Sequence, residues 1–207
     1  MSLGEEFAPG LRGWTRSYGE WKDPVSSFAV VRPDELVLID PLLADESDWH
    51  AVGELARGRE LHVVLTVHWH ARSTAEVLGR HPGARVWVTS GGRAASSRRT
   101  TVTDVFSPGD PLPGGLLALA ARPRGEVLLW DAESRALIAG DALVADLDPP
   151  GRLRLCKPSW LPASTSPAEL RAALRPALDL PVKLVLPSHG PPIRRGAKAE
   201  LARALAP

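Results

Sequence analysis

Stretches of strand-like and helix-like sequence alternate through the first half of the chain. Residues 61–67 (LHVVLTV) form an almost unbroken apolar run rich in β-branched side chains, which predicts a strand buried on both faces. Ser73 and Glu76 then have the spacing of a helix-capping box, and an apolar helical face begins directly after them. Further strands are predicted at Glu35–Ile39 and Arg85–Thr89. This alternation is typical of a layered α/β protein.

The second half of the chain has a different pattern of apolar and turn-forming residues. Between residues 100 and 145, short apolar runs are separated by Pro, Gly and Asp turns, which predicts an antiparallel meander. Residues 146–165 are proline-rich and predict a long loop. Ser166 and Glu169 have capping-box spacing and predict a helix start, and residues 195–206 predict a last amphipathic helix. Without repeats or a linker-like segment, residues 1–207 are expected to form one domain, with residues 1–13 lying loosely on its surface.

Composition narrows the possible classes of function. The chain has 207 residues with 25 basic and 24 acidic side chains, so its net charge of +1 favours neither nucleic acid nor an anionic membrane as a partner. No apolar run is long enough to cross a membrane, and the N-terminus does not resemble a signal peptide. The lone Cys156 excludes an internal disulfide and a cysteine-based zinc cluster. A cytoplasmic protein with a small-molecule ligand is therefore expected.

Side chains suited to metal binding or acid–base chemistry follow several predicted strands directly. Asp40 ends one strand, and His68 and His70 follow the central apolar run at positions i and i+2. If that segment is extended, both imidazoles project to the same side. Asp141 and His189 each follow a later strand. Since strand ends carry the ligand sites of α/β proteins, these five residues are the candidate site.

The order and spacing of these features resemble the metallo-β-lactamase-fold hydrolases. The landmarks are VLID near the start, the strand before HWH, the segments SPGDPLPGG and GEVLLWDAESRALIAGDAL, and LVLPSHGPP near the end. The resemblance covers roughly residues 25–192 and implies a four-layer αββα sandwich of the α/β class, with metals bound at one sheet edge. Activities in this superfamily include thioester, lactone, β-lactam and nucleic-acid hydrolysis.

The metal-ligand motif departs from the family pattern at three positions. The family's His-x-His-x-Asp-His is HWHARS here, so Arg72 stands in place of an aspartate and Ser73 in place of a histidine. The sequence has no histidine between His81 and His189, and the resemblance places the family's next histidine at Arg122 or at a neighbour within residues 121–125. Two of the three lost ligands are thus replaced by cations, which disfavour a bound dication.

What remains of the ligand set limits the metal content. The resemblance assigns metal-binding roles to His68, His70, Asp141 and His189. The first family site keeps two histidines and Asp141, a set that can bind a single Zn²⁺ or Fe²⁺. The second site keeps only Asp141 and His189, which is too few protein ligands for Zn²⁺. A dinuclear centre is not expected, and the cofactor is either one metal ion or none.

Two functions stay open. One is a mononuclear hydrolase in which a metal-activated water attacks an ester, thioester or lactone and the two arginines stabilise negative charge. The other is a non-catalytic, metal-free descendant whose pocket, lined by Arg72, Arg122 and Ser73, binds a small anion, or which serves as a protein-interaction scaffold. The replacements favour the second, and they predict an ion pair between Asp141 and Arg72 or, failing that, Arg122.

Two polar residues have structural interpretations that compete with functional ones. Ser73 is interpreted as the N-cap of the helix that follows it rather than as a nucleophile, because a serine nucleophile needs an adjacent base. Asp40 is expected either to support the metal ligands from behind or to form a strand-end turn, without binding metal itself.

Overall fold

Two β-sheets, each with its own hydrophobic core, organise the chain. The structure, a computed structural model, describes residues 3–19, 24–122, 125–148, 150–162 and 165–206. The chain divides into two units, one comprising Met1–Phe106 with Leu112–Gly114 and the other comprising Ser107–Pro111 with Gly115–Pro207. Below they are called unit 1 and unit 2.

Unit 1 contains a seven-stranded sheet whose strands lie in sequence order. The first four strands pair antiparallel, and from the fourth strand onward the pairing is parallel. The strands are β1 (Glu5–Ala8), β2 (Leu11–Ser17), β3 (Pro24–Val31), β4 (Glu35–Ile39), β5 (Glu60–Val64), β6 (Arg85–Thr89) and β7 (Asp104–Phe106). The bounds of β4 and β6 are those that their apolar runs predict.

The expectation that residues 1–13 lie loosely on the surface is wrong for the described part of this segment. Strand β1 pairs with β2 around the turn at Gly10, and β2 pairs in turn with β3. Leu3 and Leu11 are fully buried. The two strands differ in burial, since β1 is an edge strand with exposed or half-buried residues and β2 is an interior strand with several buried ones.

Three helices connect the parallel strands of unit 1, namely α1 (Glu46–Ala56), α2 (Thr74–Arg80) and α3 (Arg93–Ser96). Helix α1 is capped by Asp45, whose carboxylate accepts hydrogen bonds from the backbone N–H groups of Ser47 and Asp48 at 2.9 and 3.1 Å. The unit's apolar core draws on these helices and on the sheet, and it includes the fully buried side chains of Leu36, Leu38, Val52, Val63, Val77 and Val86.

Unit 2 contains a five-stranded sheet, a separate two-stranded ladder and two helices. The elements are β8 (Pro111–Leu112), β9 (Leu116–Arg122), β10 (Glu126–Asp131), β11 (Ala136–Ala139), β12 (Leu143–Ala145), β13 (Leu153–Leu155), α4 (Pro167–Leu174), β14 (Leu184–Pro187) and α5 (Ala197–Ala204). The sheet order is β14-β11-β10-β9-β8, with antiparallel β9, β10 and β11 as predicted and β14 parallel to β11.

Two details of unit 2 bear on the sequence predictions. The predicted capping box at the start of α4 is confirmed, since Ser166 Oγ accepts from Glu169 N at 3.2 Å and Glu169 Oε2 accepts from Ser166 N at 2.6 Å. The predicted loop at 146–165 is interrupted by β13, which pairs with β12. Among the described residues of both units, no helix has the length and apolarity that a membrane span requires.

Gly190 is expected to be essential for the chain path that follows β14. Its φ is +87°, and a Cβ added there would lie 1.9 Å from the carbonyl oxygen of Ala145. We expect Gly190→Ala to destabilise the protein by at least about 2 kcal/mol more than Gly151→Ala, because backbone atoms must move to relieve the overlap. Gly151 is a matched control, since its φ is +88° and a Cβ there would meet nothing within 4 Å. Urea unfolding of both variants measures the difference, and equal losses would contradict the steric argument.

Candidate functional site

Asp40, at the end of β4, is a buried carboxylate with three hydrogen-bond donors. Its Oδ1 accepts from Thr66 N at 2.9 Å, and its Oδ2 accepts from Thr66 Oγ1 at 2.5 Å and from His70 Nδ1 at 2.8 Å. The backbone of Asp40 is left-handed with φ 48°, a conformation that aspartate tolerates better than most residues. The carboxylate thereby fixes the tautomer and the ring orientation of His70, as second partners of metal-bound or catalytic histidines do.

His68 and His70 lie on a tight turn, not on an extended segment. Strand β5 ends at Val64, and His68–Ala71 forms a single 3₁₀ turn in which His70 N donates to Val67 O at 3.0 Å. The expectation that positions i and i+2 place both imidazoles on one side of an extended chain is therefore wrong. The two rings have different surroundings, since His70 is buried and His68 is half-buried with its ring against Trp69 at 4.6 Å.

The surroundings of His68 favour its neutral form. Burial lowers the pKa of His68 below its usual value, and the positive charges of Arg99 and Arg98 lower it further. At pH 7 this imidazole is therefore uncharged and can accept a hydrogen bond or bind a cation through a ring nitrogen.

Arg72 and Ser73, at the positions where the resemblance places two metal ligands, both hold loops of unit 1 together. Arg72 Nη1 donates to the backbone oxygens of Ser26 and Asp40 at 3.0 and 2.9 Å, from a strained backbone with φ 36°. Ser73 lies at the N-cap position of α2, but its side chain makes no capping hydrogen bond. Its hydroxyl instead accepts from Leu43 N at 3.0 Å, so the predicted capping box is wrong.

The predicted ion pair of Arg72 with Asp141 joins residues of different units and stays a prediction. Within unit 1, the hydrogen bonds of the Arg72 guanidinium to backbone oxygens show that it reaches inward to the start of β3 and the end of β4. A solvated surface arginine would not make these contacts.

In unit 2, Asp141 and His189 contact each other directly. His189 Nε2 lies 3.3 Å from Asp141 Oδ1, and the imidazole packs against the Trp160 ring with centroids 5.2 Å apart. The backbone oxygen of His189 accepts from Ala145 N at 2.9 Å. The carbonyl oxygen of the same Ala145 is the atom that a Cβ at residue 190 would overlap. Two residues that the resemblance assigns to metal binding are thus adjacent, as their positions after β11 and β14 predict.

Arg122 forms a buried ion pair with Glu126 beside Asp141. Arg122 Nε donates to Glu126 Oε2 and Arg122 Nη1 donates to Trp160 O at 2.9 Å, while Glu126 Oε1 accepts from Ala142 N at 2.6 Å. Burial alone would lower the pKa of Arg122, but the carboxylates of Glu126 and Asp141 outweigh it and the net shift is upward. Arg122 therefore carries a permanent positive charge next to Asp141.

Glu126 and Thr66 are site residues that the sequence analysis missed. Glu126 directly precedes the buried run VLLW, and an acid at the start of such a strand is a signal that it has a partner. It lies directly opposite Arg122 in the β9–β10 pair. Thr66 interrupts the apolar run LHVVLTV, but threonine is common in strands, so no sequence signal singles it out.

Neither unit by itself holds a set of donors that fits a metal centre. Among the residues that the structure describes, no group of three or more His, Cys, Asp and Glu side chains is arranged to hold a metal ion. Unit 1 contributes His68 and His70, with Asp40 already bonded to His70. Unit 2 contributes Asp141 and His189 beside the cation of Arg122. Stable zinc sites use three or four protein ligands, which neither unit supplies.

Comparison with solved structures shows the fold class. A metallo-β-lactamase from Hirschia baltica aligns over 98% of this chain and 97% of its own, with 14% identity and a TM-score of 0.70. A β-lactamase domain protein from Burkholderia ambifaria aligns over 97% and 71%, with 18% identity and a TM-score of 0.72. A metallo-β-lactamase from Pseudomonas aeruginosa, solved in its mono-zinc form, aligns over 97% and 92%, with 13% identity and a TM-score of 0.70.

The chain therefore has the metallo-β-lactamase fold, and the predicted αββα class is confirmed. No protein-family model matches the sequence, and no curated protein does. At 13–18% identity these likenesses define the fold and leave the activity to be argued from the site.

Proposed function

We propose that this protein is a metal-independent member of the metallo-β-lactamase fold class that binds a small anionic molecule and does not hydrolyse it at a two-metal centre. The observation that carries this proposal is the buried Arg122–Glu126 pair beside Asp141. The resemblance places a metal-binding histidine at the position of Arg122. A fixed guanidinium there supplies the positive charge that a metal would otherwise give to Asp141.

Charge balance in unit 2 supports this proposal. Arg122 offsets the buried carboxylate of Glu126, and His189 contacts the buried carboxylate of Asp141. A dication added next to Asp141 would be repelled by Arg122, whose guanidinium cannot lose its proton at neutral pH. The cost of burying the Asp141 charge is thus reduced by protein groups alone.

The residues at the two replaced ligand positions of unit 1 also support the proposed function. Arg72 and Ser73 each have a structural role, since they connect the turn after β5 to the ends of β3 and β4. Arg72 and Ser73 therefore stabilise the fold and do more than occupy positions from which a metal ligand is missing. The proposal assigns Arg72 the second role of facing a bound anion, and the pairing of Arg72 with Asp141 remains part of this proposal.

Metal analysis combined with activity assays tests the proposal. Protein purified without chelator and without added metal is expected to contain far less than one equivalent of zinc or iron. Hydrolysis of thioesters, lactones and β-lactams is expected to stay at background with or without added Zn²⁺, because a metal-activated hydroxide is lacking. A zinc-loaded metallo-β-lactamase serves as the positive control. Stoichiometric metal together with turnover that a chelator abolishes would overturn the proposal.

A mononuclear hydrolase is the second candidate, and one observation favours it. The Asp40–His70 contact of 2.8 Å through Nδ1 is the arrangement in which histidines commonly bind metal through Nε2. His68 and His70 would then supply two of the ligands, and the ion would activate a water toward an ester, thioester or lactone carbonyl. Zinc titration by calorimetry separates the candidates. Binding in the wild type that is lost in His70→Ala would support the hydrolase, whereas equally weak binding in both supports the metal-free protein.

A further inference from the structure

We propose that the segment after β6, around Arg93, Arg98 and Arg99, binds the phosphoryl group of a small phosphorylated ligand. This inference rests on the proposed function and deepens it, because it names the class of anion and a place in unit 1 where the anion binds.

The segment lies against the turn that bears His68. Strand β6 ends at Thr89, whose Oγ1 accepts from Gly92 N at 3.1 Å, and the short helix α3 follows. A Cβ added at Gly92 would lie 2.9 Å from Thr89 Oγ1 and 3.6 Å from His68 Cβ, so the two turns pack closely because residue 92 is glycine. Charged side chains on this segment are therefore near the candidate site of unit 1.

Three arginines of this segment have no acidic partner. Arg93, Arg98 and Arg99 are exposed, and within the described part of the chain their only side-chain hydrogen bond is from Arg98 Nη1 to Ala94 O at 3.1 Å. The sequence from 90 to 103 (SGGRAASSRRTTVT) contains no aspartate or glutamate. Three unpaired cations without a neutralising acid create a local positive potential despite the near-zero net charge of the chain.

Other exposed arginines of unit 1 are paired, which makes this group distinctive. Arg57 contacts Glu54 at 2.5 Å, Arg80 contacts Glu46 at 2.5 Å, and Arg85 contacts Asp104. Surface arginines of this unit thus commonly have carboxylates within reach. The concentration of unpaired ones next to the His68 turn indicates that a ligand, not the protein, supplies the negative charge there.

Two buried hydroxyls in the same segment also lack partners. Ser96 is fully buried and Thr100 is 8% exposed, and neither hydroxyl oxygen has a hydrogen-bond partner among the described residues. Buried hydroxyls in a turn with a purely structural role are normally satisfied. Because both oxygens are buried, they are not accessible to a ligand held by the exposed arginines, and the inference is carried by the arginines alone.

The chemistry favours a phosphoryl group on a small molecule. Guanidinium groups bind phosphate oxygens in bidentate geometry. A phosphoryl dianion balances the charge of three cations better than a single carboxylate does. A nucleic acid would need an extended basic track, whereas this cluster spans residues 93–99 and the chain carries a net charge of only +1. The short span and the charge of the cluster therefore favour one phosphoryl or pyrophosphoryl group as the ligand.

Calorimetric titration with inorganic pyrophosphate at low ionic strength tests the inference. We expect the wild type to bind and Arg98→Ala/Arg99→Ala to bind at least about tenfold more weakly, because two charge-assisted contacts are removed. The variant Arg98→Lys/Arg99→Lys keeps both positive charges and should therefore recover part of the affinity. The matched control is Arg175→Ala/Arg195→Ala, which removes two exposed arginines of unit 2 and should bind like the wild type.

Several outcomes would overturn the inference. Equal binding by the wild type and Arg98→Ala/Arg99→Ala would show that the cluster is not the site, and absence of binding to the wild type would show that no such site exists. A single-stranded oligonucleotide that binds through these arginines while pyrophosphate does not would assign the surface to a polymer instead. The metal analysis and the activity assays test the proposed function separately. Their outcome, stoichiometric metal with chelator-sensitive turnover or its absence, does not depend on Arg98 and Arg99. Thermal unfolding verifies that each variant is folded.

Discussion

Glu126→Ala is expected to destabilise the protein by about 3–5 kcal/mol, the typical cost of removing one partner of a buried ion pair. The Arg122 guanidinium would remain buried without its carboxylate, and Ala142 N would lose its hydrogen-bond acceptor. The side chains of Arg122 and Glu126 are 2% and 1% exposed, so water cannot replace the lost carboxylate without a structural change. Urea unfolding followed by far-UV circular dichroism measures the loss.

A double variant and a surface pair complete this experiment. Arg122→Met/Glu126→Leu should be much less destabilised than Glu126→Ala, because it removes both charges and leaves an apolar contact. Glu46→Ala breaks the exposed Arg80–Glu46 pair and should cost less than about 1 kcal/mol. If Glu126→Ala cost no more than Glu46→Ala, the buried pair would not be the source of charge balance that we propose.

Asp40→Ala is expected to have the second large effect, a loss of roughly 2–5 kcal/mol of stability. The substitution removes the acceptor of Thr66 N, Thr66 Oγ1 and His70 Nδ1, all of which are buried. It also places alanine at φ 48°, where aspartate and asparagine are tolerated better. Calorimetric unfolding gives the loss.

Comparison with two further substitutions separates the causes. Asp40→Asn keeps the backbone preference and one acceptor oxygen, so it should lose less than Asp40→Ala. Asp34→Ala, in the exposed turn between β3 and β4, should be nearly neutral. NMR of the His70 ring adds a direct readout, since its Nδ1–H should exchange slowly in the wild type and rapidly in both Asp40 variants. An unchanged His70 signal in Asp40→Ala would contradict the role of Asp40 as the residue that orients this ring.

Local sequence determined those elements whose hydrogen bonds and buried faces are formed by neighbours in the chain. Strands Glu35–Ile39 and Arg85–Thr89 begin and end where their apolar runs do, because burial on a sheet depends on the residues of the run itself. The capping box at the start of Pro167–Leu174 forms as predicted, because both of its partners lie within three residues of each other. The order of landmarks along the chain was likewise sufficient to indicate the fold class, which the solved structures confirm.

Tertiary structure decided the polar contacts of the site, because there a distant group competes with a local one. The Ser73 hydroxyl bonds to Leu43 N, 30 residues away, and not to the start of its own helix. Asp40 holds Thr66 and His70, and this fixes His70 on a turn that its i, i+2 spacing from His68 does not predict. The Arg122–Glu126 pair depends on the β9–β10 register, which places the two residues opposite each other. Periodicity and capping rules describe interactions a few residues apart, whereas a buried polar group takes whichever partner the fold places within hydrogen-bonding distance.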